Sequence, residues 1–276
     1  MGNIVAVNTN SYHGFTVDEA LEGIAAAGFK NVEIAAVRGW TEHIMPEMEE
    51  EEICRIMDKA KALGLTFVGM SGHCNLMEAE RLEDFKRNMA LAHRLGARFI
   101  ISSTGEAHFG ENEVFADDVL IQNIKELLPA LEEYDMYLGL ETHGEYGTGA
   151  SLAKTAKGVG SPRVGVCYDT ANVVFYGNVR PEEELKECME AVKCFHLKDK
   201  LGYDNVWNFP AVGSGELKLW EVVQYANENK FFGPFSMEVE YTAEFTNREK
   251  TPEDLDYVNK EMKKAYAYMA EKGIIS

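Results

Sequence analysis

Four apolar runs in the second half of the chain end abruptly in side chains that can hold a proton or a cation. Leu138-Gly139-Leu140 stops at Glu141, with His143 two residues on, and Val164-Gly165-Val166-Cys167-Tyr168 stops at Asp169. Cys194-Phe195 runs into His196, Lys198 and Asp199, and Phe235-Ser236-Met237 stops at Glu238, followed by Glu240. Strand side chains alternate between faces. Counting back by twos, Glu141 lies over Gly139, Asp169 over Cys167 and Gly165, His196 over Cys194, and Glu238 over Ser236. Each candidate therefore stands above small residues. One such ending is commonly a turn or a helix cap. Four on consecutive strands imply a single site with room beneath it.

Two Glu, one Asp and one His make a set of hard oxygen donors plus one imidazole. Such a set suits a divalent ion of higher coordination number better than a thiolate zinc site does. Manganese is the first expectation, with magnesium, cobalt or zinc as alternatives. A cation held this way leaves positions for two substrate oxygens and polarises a carbonyl or hydroxyl. A neighbouring carboxylate can then remove the proton beside the carbonyl, so Glu141 and Glu238 are each candidates for both ligand and base.

The elements that must carry these residues alternate along the whole chain. Strands are expected at residues 4–7, 31–35, 66–70, 98–102, 138–141, 164–169, 194–198 and 235–240. Helices are expected between them, at residues 16–28, 46–63, 79–95, 117–133, from 151, 181–192, 217–228 and 251–272. Thr16 with Glu19 reads as a capping box, and Gly28 is placed to end that helix. Ile53, Ile56, Met57, Ala60 and Leu63 keep helical spacing in the second helix. A long loop through His108 and Gly110 is expected after the fourth strand. Eight strands alternating with eight helices, with no composition break, predict one (β/α)8 TIM barrel over residues 1–276, with a doubly wound sheet as the alternative. Helix-to-strand turns are short (Gly64-Leu65, Gly96-Ala97) and strand-to-helix loops are long (169–180, 199–215, 241–250). Parallel barrels carry their sites at the strand-to-helix end, where all four candidates fall.

Composition narrows the function classes. The 276 residues carry 27 basic and 46 acidic groups, a formal net charge of -19. No basic cluster offers a groove for phosphates, so a nucleic-acid partner is not expected. Five cysteines form no CxxC pair, as in a reduced, cytoplasmic protein. No signal peptide is legible, and no apolar run approaches the ~18 residues of a membrane span. The oligomeric state is open, a homo-oligomer included.

At this point the motifs resemble a known family. Gly139-Leu140-Glu141-Thr142-His143, Tyr168-Asp169-Thr170-Ala171-Asn172, Phe195-His196-Leu197-Lys198-Asp199, Gly213-Ser214-Gly215-Glu216 and Ser236-Met237-Glu238 follow one another in order. Ser71-Gly72-His73 and Ala92-His93-Arg94-Leu95-Gly96-Ala97 extend the match through the first half. The chain is similar to the xylose isomerase-like TIM barrel superfamily, and within it to the sugar isomerase/epimerase branch of ketose 3-epimerases and inositol-catabolism enzymes. The resemblance implies that Glu141, Asp169, His196 and Glu238 bind one divalent metal and that Glu141 and Glu238 form the acid/base pair. Asn172 stands where many relatives have His, which speaks against a multi-metal phosphodiesterase of the apurinic-endonuclease type. Glu240 shares the face of Glu238 and is the alternative last ligand.

The expected function is a metal-dependent isomerase or epimerase of a small polyhydroxylated carbonyl compound, a sugar or polyol derivative, working by proton abstraction next to a metal-bound carbonyl. A lyase or dehydratase on a keto-sugar or keto-inositol is the alternative. The endonuclease and a non-catalytic sugar-binding protein rank behind it. His73, His143, Lys198 and Trp40 are the expected substrate-binding residues, with Trp207 and Phe209 as loop aromatics that stack on a sugar or pack the loop. Glu33, inside a strand, is read as structural or as a support for the site.

Overall fold

The computed structural model describes residues 2–105 and 117–275, so the expected loop through His108 lies outside the described residues. Eight strands form the barrel wall: β1 (Val5–Asn8), β2 (Asn31–Val37), β3 (Thr66–Ser71), β4 (Phe99–Ser102), β5 (Tyr137–Glu141), β6 (Val164–Asp169), β7 (Val192–Leu197) and β8 (Phe235–Met237). Each pairs in parallel with its sequence neighbour, and β1 pairs with both β2 and β8. The sheet is therefore a closed parallel barrel, which removes every open edge.

The outer helices are α1 (Val17–Ala27), α2 (Glu50–Ala62), α3 (Leu82–Arg94), α4 (Asp117–Lys125), α5 (Gly149–Val159), α6 (Pro181–Cys188), α7 (Leu219–Glu228) and α8 (Pro252–Glu271). The Thr16–Glu19 capping box is present, and Gly28 ends α1 at φ 108°. Thr251 and Asp254 form a second box at α8, and Arg248 donates to both Asp254 oxygens at 2.7 and 2.6 Å.

The helix expected over 117–133 is two pieces, α4 and a short helix Leu128–Glu133. Pro129 supplies no N–H to continue the ladder, so the helix breaks there. The end of the expected 181–192 helix is a 3-10 turn, Met189–Ala191, that leads directly into β7. Residues 238–240, expected as strand, leave the regular ladder after Met237, although the Glu238 N–H still donates to the Leu197 carbonyl at 3.1 Å.

The strands are buried on both faces, hence their continuous apolar runs. Leu138, Leu140, Val166, Tyr168, Phe195 and Leu197 face outward into the large core between wall and helices. Ile101, Cys167 and Cys194 make a separate small cluster inside the barrel. A Cβ on Gly139 would lie 2.6 Å from Cys194 Sγ, so the interior here accepts no side chain at all. That alternation puts Glu141, Asp169 and His196 inside as well. They form the layer above the thiols.

Candidate metal centre and active site

Register brings the side chains together. Asp169 is paired with His196 and His196 with Ser236, while Glu141 is paired with Cys167, so the four positions step along the wall from β5 to β8 and converge through their side chains. Glu141, Asp169, His196 and Glu238 each present one donor atom, all within 4.8 Å of one another, and all four are buried. His196 Nδ1 lies 2.5 Å from Glu141 Oε1, 3.7 Å from Glu238 Oε2 and 3.9 Å from Asp169 Oδ2. Its other nitrogen, Nε2, lies 2.9 Å from Glu33 Oε1. Glu33 is thus the support that orients the imidazole, on the pattern of a carboxylate behind a ligating histidine.

The carboxylates are held one oxygen at a time. Asp169 Oδ1 accepts from the backbone N–H groups of Ala171 and Asn172 at 2.9 and 2.8 Å. Oδ2 is buried and makes no hydrogen bond. Lys198 Nζ stands 3.1 Å away, near enough for an ion pair, but not aligned as a donor. Glu238 Oε1 accepts from the side-chain amides of Asn8 and Asn10 at 3.1 and 3.0 Å, which leaves Oε2 turned to Lys198 at 2.9 Å. Asn8 and Asn10 were not anticipated, because amides in a loop after a strand usually serve only turns. Asn8 does that too, by accepting from the Asn10 N–H.

Electrostatically the site is crowded with negative charge. Among the described residues, five buried carboxyl groups, Glu33, Glu141, Asp169, Glu238 and Glu240, face one buried lysine, Lys198, and the central imidazole of His196. Burial, with the charges of Glu141 and Glu238, pushes the Asp169 carboxyl up to about 6. Burial, with Glu238 adding, pushes Glu240 up to about 7 against the pull of Lys198. Burial alone would raise Glu141, but the charge and hydrogen bond of His196 bring it below its ordinary value. Burial would lower Lys198, and Asp169, Glu238 and Glu240 outweigh that and hold it well above its ordinary value. The residues fit a divalent cation on three counts: an orphaned buried Asp169 oxygen, a converging oxygen-rich donor set with one imidazole, and an excess of carboxylate that a cation offsets.

The expected substrate residues lie around this centre. A narrow cavity beside it is lined by Asn10, His73, His143, Tyr176, Lys198 and Glu240, together with Glu141 and Glu238. His143 Nε2 is 3.1 Å from the Tyr176 hydroxyl, and burial lowers His143 to about 4. Lys198 pairs with Glu240 at 2.8 Å in addition to its other carboxylates. Trp40 borders an adjoining space that shares Asn10 and Glu240 with the cavity. Its ring stacks on His13 at 4.1 Å and its Nε1–H donates to Asn10 Oδ1 at 3.0 Å. Trp207 and Phe209 pack edge-on at 5.2 Å, as a wall with Phe175. Glu240 faces the cavity beside Glu238, but the converging group contains Glu238 and not Glu240.

Asp199, last of the run, serves the loop. Its carboxylate accepts from the backbone N–H groups of Lys200, Gly213, Gly215 and Leu217, and so folds the long segment after β7. Among the described residues, no helix is long and apolar enough to cross a membrane.

Solved structures with the same fold are distant in sequence. D-psicose 3-epimerase from Clostridium cellulolyticum, solved with D-tagatose, matches with a TM-score of 0.76 at 12% identity, over 97% of this chain and 98% of that one. A xylose isomerase-like TIM barrel protein from Mycobacterium smegmatis, solved in complex with magnesium, matches with a TM-score of 0.71 at 16% identity, over 96% and 98%. L-ribulose 3-epimerase matches with a TM-score of 0.74 at 13% identity, over 99% and 94%. At such identities the likeness is one of fold. No curated protein matches the sequence. The xylose isomerase-like TIM barrel model matches residues 21–261, and the chain belongs to that family.

Proposed function

We propose that the protein is a divalent-metal-dependent sugar isomerase or epimerase that moves a proton at the carbon beside a carbonyl, with Glu141 and Glu238 as its acid/base pair. The observation that carries this is the convergence of Glu141, Asp169, His196 and Glu238 within 4.8 Å, with Glu141 and Glu238 lining the cavity beside it. His196 would ligate through Nδ1, since Nε2 is engaged by Glu33. Manganese is the proposed ion, because three carboxylates with one imidazole suit it. When bound, the ion supplies Lewis-acid polarisation of a substrate oxygen.

Glu141 ends β5 and Glu238 follows β8, with β6 and β7 between them in the wall. The two carboxylates thus approach a substrate from different sides. In this reading one takes the proton and the other returns it to the opposite face of the same carbon. Epimerase structures with the same fold, one of them solved with D-tagatose, are in keeping with a ketose as the substrate class.

Elimination of water from the same kind of compound is the second reading, and one observation favours it. Glu240 is a third carboxyl lining the cavity, two residues past Glu238 and bonded by Lys198 at 2.8 Å. A carboxyl group placed there can pass a proton to a departing hydroxyl.

The test is turnover of a ketose panel in D2O by the manganese-loaded protein, read by NMR and mass. Epimerisation through Glu141 and Glu238 leaves the formula unchanged and places one deuterium on carbon next to the carbonyl. A product lighter by one water supports the second reading. A product without carbon-bound deuterium contradicts proton exchange with these carboxylates.

A further inference from the structure

His73 follows β3 and lies on the cavity wall, and its ring is bonded in a way that fixes where its proton sits. The backbone N–H of Ser103 donates to His73 Nδ1 at 2.8 Å. A backbone N–H has no lone pair and can only donate, so Nδ1 must be bare. Ser103 is buried, and without this bond its N–H would lose its acceptor. The ring is therefore the neutral tautomer with its proton on Nε2. That nitrogen faces the cavity and stands 3.7 Å from Glu141 Oε2, beyond hydrogen-bond reach.

We propose that His73 is a catalytic residue of a restricted kind: a neutral, tautomer-locked donor that binds the substrate oxygen next to the carbon from which Glu141 takes a proton. The proposal rests on the reading of Glu141 as a base. Nε2 has no lone pair to offer in this tautomer, so His73 is neither a ligand of a second metal nor a general base. No proton leaves it. It contributes one hydrogen bond, aimed where negative charge grows as Glu141 withdraws the proton, and set in advance by the Ser103 bond. The chemical consequence is a substrate requirement: the oxygen beside the reacting carbon must be an acceptor, a carbonyl or a hydroxyl oxygen, and an analogue lacking it is disfavoured because the donor is left unpaired.

Two measurements on the full chain loaded with magnesium, which is diamagnetic, test this. Long-range proton–nitrogen NMR at pH 7.5 should show His73 with Nε2 protonated and Nδ1 bare, and D-tagatose as probe should shift the Nε2–H signal. A ring protonated on Nδ1, or a signal that saturating D-tagatose leaves unmoved, overturns the proposal. On a ketose that the wild type turns over, His73→Phe should lower kcat by roughly 10²–10³-fold, with KM moved far less, and His73→Gln, which keeps an amide donor, should recover part of the loss. A His73→Phe variant with wild-type kcat also overturns it. Failure of the functional reading looks different, because it appears as a wild-type protein with no turnover on any ketose, whatever the tautomer of His73.

Discussion

The side-chain amide of Asn10 donates to Glu238 Oε1 at 3.0 Å, and the same amide's oxygen accepts from Trp40 Nε1 at 3.0 Å. Indole N–H is only a donor, so Trp40 settles which way round the amide lies and Asn10 in turn settles which Glu238 oxygen is spoken for. Trp40, an expected substrate-binding residue, is thereby tied to the support of the Glu238 carboxylate as well. Replacing Asn10 with Leu keeps much of the volume but removes the donor to Glu238 Oε1. A hydrogen bond to a charged group contributes about 1.5–3 kcal/mol, so Asn10→Leu should weaken Mn2+ binding by roughly 10–100-fold. Calorimetry checks it, and an unchanged affinity would show that Glu238 needs no such support.

Glu33 should matter to the metal without touching it. Its Oε1 lies 2.9 Å from His196 Nε2 on the far side of the ring from Glu141. Loss of a carboxylate behind a ligating histidine typically weakens metal binding by about 10–100-fold. Glu33→Ala should do the same here while far-UV dichroism stays that of the wild type. Equal Mn2+ affinity in both proteins would mean that His196 is oriented by its strand alone.

Much of this was legible before any coordinates. The runs ending in Glu141, Asp169 and His196 carry their own parity, and the small residues two positions back mark the inward face. That signal is local, and the side chains it singles out do converge. What was not legible depends on contacts between distant parts of the chain. Asn8 and Asn10 meet Glu238 across 230 and 228 residues, and nothing in a polar loop announces such a meeting. Glu240 was ambiguous for a different reason: after Met237 the ladder ends, and period-two counting no longer decides which carboxylate converges. Pro129 does carry a visible signal, and the break it makes between α4 and the Leu128–Glu133 helix is where the long expected helix fails.

The barrel floor should be intolerant of size. A Cβ on Gly139 would stand 2.6 Å from Cys194 Sγ and 3.0 Å from Cys167 Cβ. Gly139→Ala should cost about 1–3 kcal/mol by overpacking, read as a lowered midpoint in urea. Cys194→Ala in the same chain should return part of the loss. Two substitutions that add independently would show that the interior relaxes around the new methyl.

His43 gives the metal-free protein a pH dependence. Burial lowers it to about 4, opposed by the Phe15 carbonyl it contacts at 3.1 Å and reinforced by the charge of His13. The unfolded chain takes up this proton near pH 6.5, whereas the folded chain resists until about pH 4. Below pH 6.5 the unfolded state therefore binds more protons, and stability falls as pH falls through this window. The loss reaches about 3 kcal/mol at most. Urea unfolding at pH 7 and pH 4.5 should show a smaller difference in His43→Gln than in the wild type, and identical differences would remove His43 as its source.

The central claim is that one divalent ion sits among Glu141, Asp169, His196 and Glu238, and titration of Mn2+ into the metal-free protein tests it most directly. The wild type should bind one equivalent saturably. His196→Ala, which removes the only imidazole of the set, should lose most of that affinity with its dichroism spectrum intact. A wild type that takes up no ion, or a folded His196→Ala variant that binds Mn2+ as tightly as the wild type, would contradict the account.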